Sequence, residues 1–145
     1  MRTAATASRW CAAVLLGLYS IVIVRLTLVP ASSDSRVFGL LDRIMTRVSG
    51  GRLEWSQTEV LANVALFIPA GFLLAVILGR AWASALLCVL ASAAIELAQQ
   101  RYLPSRVPSI ADVEHNGLGG LIGAIVAWPL AYWVRELPRR TQALV

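Results

Sequence analysis

Residues 60–97, VLANVALFIPAGFLLAVILGRAWASALLCVLASAAIEL, decide how this chain folds. They form two long apolar runs, 60–78 and 82–97, separated only by Gly79, Arg80 and Ala81. At a rise of about 1.5 Å per residue, the first run can cross a hydrocarbon core about 30 Å thick and the second just reaches it. So short a connector leaves room for a turn and nothing else, which predicts an antiparallel helical hairpin across a membrane. Outside the hairpin lie two more such runs, WCAAVLLGLYSIVIVRLTLV at 10–29 and NGLGGLIGAIVAWPLAYWV at 116–134. The expected fold is therefore all-α, an integral membrane bundle of about four transmembrane helices, and 1–145 is one domain.

Composition agrees. The chain is 58% hydrophobic and 14% charged, against about 45–50% and 25% in a soluble domain. Its mean hydropathy is +0.70. Those values exclude a soluble globular domain and a disordered chain. Two cysteines and no glycine period exclude a disulfide scaffold and a collagen-like repeat. Cys11 and Cys88 sit inside apolar runs and read as small buried hydrophobes. Trp10, Trp82, Trp128, Tyr132 and Trp133 fall near run ends, as an interfacial aromatic belt requires.

The first run has a competing reading. Arg2 and Arg9, a stretch of apolar residues and a later VPASS have the form of a cleaved signal peptide. Against it, the run resumes after Arg25 with LTLVP, and Arg25 is near enough to the end to snorkel. Between the first two runs, residues 33–48 read as an amphipathic helix. Val37, Leu40, Leu41, Ile44 and Val48 keep helical spacing, and Arg36, Asp42, Arg43 and Arg47 are polar. Such a helix suits the membrane interface, and a loop helix packed on the bundle is the other reading. Ser56-Gln-Thr-Glu59 has the form of a capping box at the start of the second span. Pro104 and Pro108 keep the loop before the fourth run from being helical, and Ser109 with Asp112 is the expected start of that helix.

All thirteen basic residues are arginine, and the net charge is +5. They are scattered between apolar runs and form no basic patch, so no nucleic-acid partner is expected. Four spans put both termini on one side. Six arginines fall on each side, but those on the terminal side lie in shorter segments, which favours termini in the cytoplasm.

Polar residues inside the spans are one-sided. Arg25 ends the first span, Asn63 is near the start of the second, Glu96 and Gln99 end the third, and Asp112 and Asn116 open the fourth. Because successive spans alternate in direction, these sets share one leaflet, with Arg101 and Arg106 in the loop above. Glu96 shares a helix face with Gln99 and Gln100, and Asp112 shares one with Asn116, Gly119, Gly120 and Gly123. Asn63, Phe67 and Gly71 make another stripe, with Pro69 an expected kink. Gly119-x-x-x-Gly123 admits a close neighbour helix. Ionisable groups within spans usually face the interior and mark a site. The alternative is that they only satisfy one another, with Arg106 pairing with Asp112 or Glu96 and Asn63 bonding a helix backbone.

Enzymatic signals are thin. His115 is the lone histidine, beside Glu114, and no serine or cysteine nucleophile is placed to pair with it. No histidine and cysteine set suits a metal, and no cofactor or metal is expected. SRVPSIADVEH has a superficial likeness to the lipid phosphatases of the phosphatidate phosphatase type, with the wrong spacing.

NVALFIPAGFLL, IELAQ and RVPSIADVEHNGLGGLIG together resemble the VanZ-like family of small bacterial membrane proteins. The family pattern falls here on Asn63, Phe67, Pro69, Gly71, Glu96, Gln99, Arg106, Asp112, Asn116, Gly119 and Gly123, and the similarity covers about residues 26–128. The resemblance implies an all-helical, multi-pass protein of the bacterial plasma membrane. Its founding member is associated with resistance to teicoplanin, a lipoglycopeptide antibiotic that acts at the cell envelope. The expected function is recognition of a polar head group by an outward-facing cluster of Asn63, Glu96, Gln99, Arg106, Asp112 and Asn116. Phe67, Pro69, Gly71, Gly119 and Gly123 would serve helix packing. Expected partners are membrane lipids, among them a lipid-linked cell-wall precursor or a lipoglycopeptide. The alternatives are a membrane enzyme acting on a lipid head group, with Glu96, Asp112 or His115 as acid or base, and an interaction subunit of an envelope complex.

Overall fold

Hydrocarbon offers a backbone no water to bond, so each apolar run must close its own hydrogen-bond ladder as a helix. The computed structural model describes residues 2–28, 43–44, 46–47, 50, 55–103 and 109–132, and among them there is no strand. Its long helices are α1 (Arg2–Leu28), α2 (Trp55–Leu78), α3 (Ala81–Tyr102) and α4 (Ile110–Val126). Three segments, Thr6–Leu28, Gln57–Leu78 and Ala81–Tyr102, are long and apolar enough to cross a membrane.

The fourth helix departs from the expected unbroken span. α4 holds 17 residues. Its ladder nevertheless continues, since the Ala127 N–H donates to Gly123 at 3.0 Å and the Ala131 N–H to Ala127 at 2.8 Å. Residues 128–132 are again helical. Pro129 has no N–H to offer the carbonyl four residues earlier, which accounts for the lapse at Ala127. Counted together, 110–132 rises about 34 Å.

Each helix extends beyond its apolar run at one end or the other. α1 starts at Arg2 rather than residue 10, α3 reaches Tyr102 rather than residue 97, and α4 starts at Ile110 rather than Asn116. The apolar run measures the depth of hydrocarbon, whereas a helix continues while its ladder holds, head-group region included. Ser56 is already helical, so it lies within α2 and is not its cap. Most of the expected amphipathic helix 33–48 lies outside the described residues, within which Arg43, Ile44, Thr46 and Arg47 are helical. Also outside are Arg106 with Pro104 and Pro108, Trp133, and the stretch after α1 that contains VPASS.

The α2–α3 hairpin forms as expected. Gly79 takes φ +65°, a left-handed turn that costs other residues about 1–2 kcal/mol. Its N–H bonds the Ala75 carbonyl at 2.8 Å. α2 and α4 make the most intimate pairing. A Cβ on Gly119 would overlap the Val64 carbonyl, one on Gly123 the Ile68 carbonyl, and one on Gly71 the Gly120 backbone. In lipid no hydrophobic force draws helices together, so close packing of small residues does that work. Beside this seam one core is mostly alanine, including Ala12, Ala75, Ala124 and Ala131. The other joins Phe67, Ala70, Cys88 and Ile23. α2 remains one continuous helix through Pro69.

Cys88 is buried, but Cys11 is exposed, which corrects the expectation for that residue. α1 presents a narrow face to the bundle, through Ala12 and Ile23, and Cys11 falls off it. Trp10, Trp82, Trp128 and Tyr132 are all exposed, and helix direction puts all four at the same end of the bundle. Tyr102 is exposed at the far end of α3, twenty residues and about 30 Å from Trp82. That separation matches the thickness of a hydrocarbon core.

Candidate functional site

The polar residues converge as their alternation predicts. Near the end of the bundle away from Trp10, Trp82 and Trp128, Asn63 Nδ2 on α2 donates to Asp112 Oδ1 on α4 at 2.9 Å. The Asn116 Nδ2, one turn further along α4, donates to Ser92 Oγ on α3 at 2.8 Å. On α3, Gln99 Nε2 donates to the Thr27 carbonyl of α1 at 2.9 Å. Glu96 Oε2 accepts the Ser109 N–H at the entrance to α4, at 3.0 Å. Four side-chain bonds thus tie the four helices together at one end.

The start of α4 departs from the usual local cap. Ser109 is the N-cap, yet its side chain makes no capping bond. In a capping box the side chain three residues on bonds the N-cap N–H, and here that residue is Asp112. Glu96 takes that role from α3 instead, which frees Asp112 to hold Asn63 on α2. A carboxylate at this position also faces the positive end of the helix dipole.

Burial sorts the cluster. Ser92 is 0%, Gln99 4% and Asn116 5% exposed. Glu96, Asp112, Asn63 and His115 are half-buried. Among the described residues, the His115 Nδ1 and the Asn116 Oδ1 are buried without a hydrogen-bond partner. Arg25, Gln100 and Arg101 are exposed, and the Arg101 guanidinium lies 6.0 Å from the Tyr102 ring centre. No group of three His, Cys, Asp or Glu able to hold a metal occurs among the described residues.

Several participants were not among the residues singled out from sequence. Ser92 receives Asn116, Ser84 Oγ bonds the Gly71 carbonyl at 2.6 Å, and Tyr19 Oη bonds the Leu66 carbonyl at 2.8 Å. A signal for the first two was present. Ser84, Cys88 and Ser92 recur every four residues on α3, a small-residue stripe of the kind that seats a neighbouring helix. Gly117 and Gly120 belong to the facing surface, meeting Val89 and Cys88. Nothing in the sequence marks the Thr27 carbonyl as an acceptor.

The Gln99 bond is a side-chain link between α3 and α1. Gln99→Leu keeps the bulk and removes the donor, so a loss of about 1 kcal/mol is expected. Thermal unfolding in detergent checks this. A melting temperature equal to wild type would mean the bond contributes nothing to docking α1.

A family model described as VanZ/LLP1 matches residues 16–133. No curated protein and no solved structure matches the chain.

Proposed function

The chain belongs to the VanZ/LLP1 family, and from that membership we propose that this membrane protein recognises a polar head group at its networked end. The head group is that of a lipid-linked cell-wall precursor or of a lipidated glycopeptide such as teicoplanin. The bilayer is the bacterial plasma membrane, the termini are cytoplasmic and the network faces outward.

Convergence carries this reading. All four helices contribute polar groups to one end, whereas the core cluster of the other half is mostly alanine, and the buried Ser84 there bonds the Gly71 carbonyl. Interhelix bonds occupy Asn63, Gln99 and Ser92, which makes them the scaffold. Among the described residues they leave acceptor capacity over: the second oxygens of Glu96 and Asp112, the Asn116 Oδ1 and the His115 Nδ1. Acceptors of this kind suit hydroxyl and amide N–H groups on a sugar or peptide head group. Arg106, in the loop between Glu96 and Asp112, is the phosphate or carboxylate contact, since a guanidinium engages either group in bidentate fashion. Binding protects or sequesters the ligand, and no bond is made or broken.

The test is teicoplanin susceptibility in a sensitive Gram-positive host, with vancomycin as the non-lipidated control. Wild type, Arg106→Ala and Arg106→Lys are compared at matched membrane levels. Wild type is expected to raise resistance to teicoplanin more than to vancomycin. Arg106→Ala loses the effect, and Arg106→Lys loses most of it despite keeping the charge. Full protection by Arg106→Lys would remove the bidentate contact. No protection by well-expressed wild type would remove this drug as the ligand.

A further inference from the structure

The opposite end of the bundle carries a separate feature. Arg80, Trp82, Trp128 and Tyr132 wall a groove of about 210 Å³ floored by Ala131. It lies where α3 begins, beside residues 128–132 of the fourth helix and at the level of the exposed tryptophans. Among the described residues, no acidic side chain lines it. Arg80 is exposed and makes no side-chain cap bond at the start of α3.

A second guanidinium belongs to the same end. Arg9 is one turn before Ala12 on α1, and Ala12 packs in the cluster that includes Ala131 and Ala81. The Arg9 Nε is buried and has no acceptor among the described residues. Arg80 thus lines the small interfacial groove, and Arg9 lies on α1 at the same end of the bundle. The groove's aromatic walls add neutral donors, the indole N–H of Trp82 and Trp128 and the hydroxyl of Tyr132.

We propose that this groove is a binding site for an anionic phospholipid, held by its phosphate against Arg80. Arg9 adds attraction, and the acyl chains lie along the exposed aliphatic surface of Leu78, Leu86 and Leu130. Size points the same way. Pockets for drug-sized ligands run about 300–1,000 Å³. The smaller groove suits a glycerophosphate whose tails stay in the bilayer. Tryptophan and tyrosine at the membrane interface keep the groove at head-group depth. The site is independent of the networked end.

Native mass spectrometry of the full chain in detergent tests this, with phosphatidylglycerol and phosphatidylcholine as probes. Wild type is expected to retain phosphatidylglycerol in preference to phosphatidylcholine. Loss of a charge-assisted contact should weaken phosphatidylglycerol by about 10-fold in Arg80→Ala and in Arg80→Gln, leaving phosphatidylcholine unchanged. Adding Arg9→Ala should weaken it further, and Arg80→Lys should fall between. Equal retention of the two lipids by wild type would overturn the proposal. So would unaltered phosphatidylglycerol binding in both Arg80→Ala and Arg80→Gln. Displacement of the lipid by equimolar inorganic phosphate would mark a site for soluble anions and overturn the lipid assignment.

Discussion

Gly123→Leu is expected to abolish the folded bundle. A Cβ at Gly123 would meet the Ile68 carbonyl and the Phe72 backbone nitrogen, and neither can swing aside as a side chain would. α2 and α4 would have to separate along the whole seam, taking Gly119 away from Val64 and Gly71 away from Gly120. Overpacking a core costs about 1–3 kcal/mol where side chains can yield, and a rigid backbone places this case at or above the top of that range. The bonds between Asn63 and Asp112 and between Ser84 and Gly71 depend on neighbouring registers and should fail with the seam. Size-exclusion chromatography in detergent should show aggregate in place of the monodisperse peak. Gly17→Leu is the control. A Cβ there meets nothing within 4 Å, so that variant should behave as wild type. A monodisperse Gly123→Leu protein with an unchanged melting temperature would refute the close approach. The geometry also bears on the alternative of an association subunit, because Gly119 and Gly123 already face α2 of the same chain.

Asp112→Asn is expected to remove function while sparing the fold. Asn can still accept the Asn63 N–H through its carbonyl oxygen, so the α2–α4 bond survives and only the charge is lost. Any change in stability should stay within about 1 kcal/mol. If the charge meets a donor on the head group, its loss should weaken binding by about 10-fold or more. Protection against teicoplanin should fall in proportion. Asp112→Ala separates the two roles, since it loses the charge and the interhelix bond together and should also lower the melting temperature. Undiminished protection by Asp112→Asn at wild-type abundance would mean that Asp112 is a helix clamp and no more.

Much of this arrangement was legible in the residues. The runs at 60–78 and 82–97 and the Gly79 turn define a hairpin, because hydrocarbon leaves an apolar helix few alternatives. Alternating direction then carries Asn63, Glu96, Gln99, Asp112 and Asn116 to one end without any knowledge of packing. The glycine spacing on α4 announced a close neighbour. Individual partners were less accessible. Asp112 holds Asn63 and Glu96 holds a backbone N–H, whereas Arg106 lies outside the described residues. Cys11 and Cys88 look alike in sequence, yet only Cys88 is inside.

The sequence by itself determined the number of apolar runs, the turn between the second and third, and the end of the bundle at which polar groups gather. These follow from local hydropathy and from the geometry of a chain that crosses a slab in alternating directions. Tertiary structure alone decided which helix faces meet. Periodicity identifies the face on which a residue lies, but not how each helix is rotated toward its neighbours. That rotation is set where Gly71, Gly119 and Gly123 let two backbones touch. Once the seam is in place, Asn116 reaches Ser92, Gln99 reaches Thr27, and Glu96 arrives at the open end of α4.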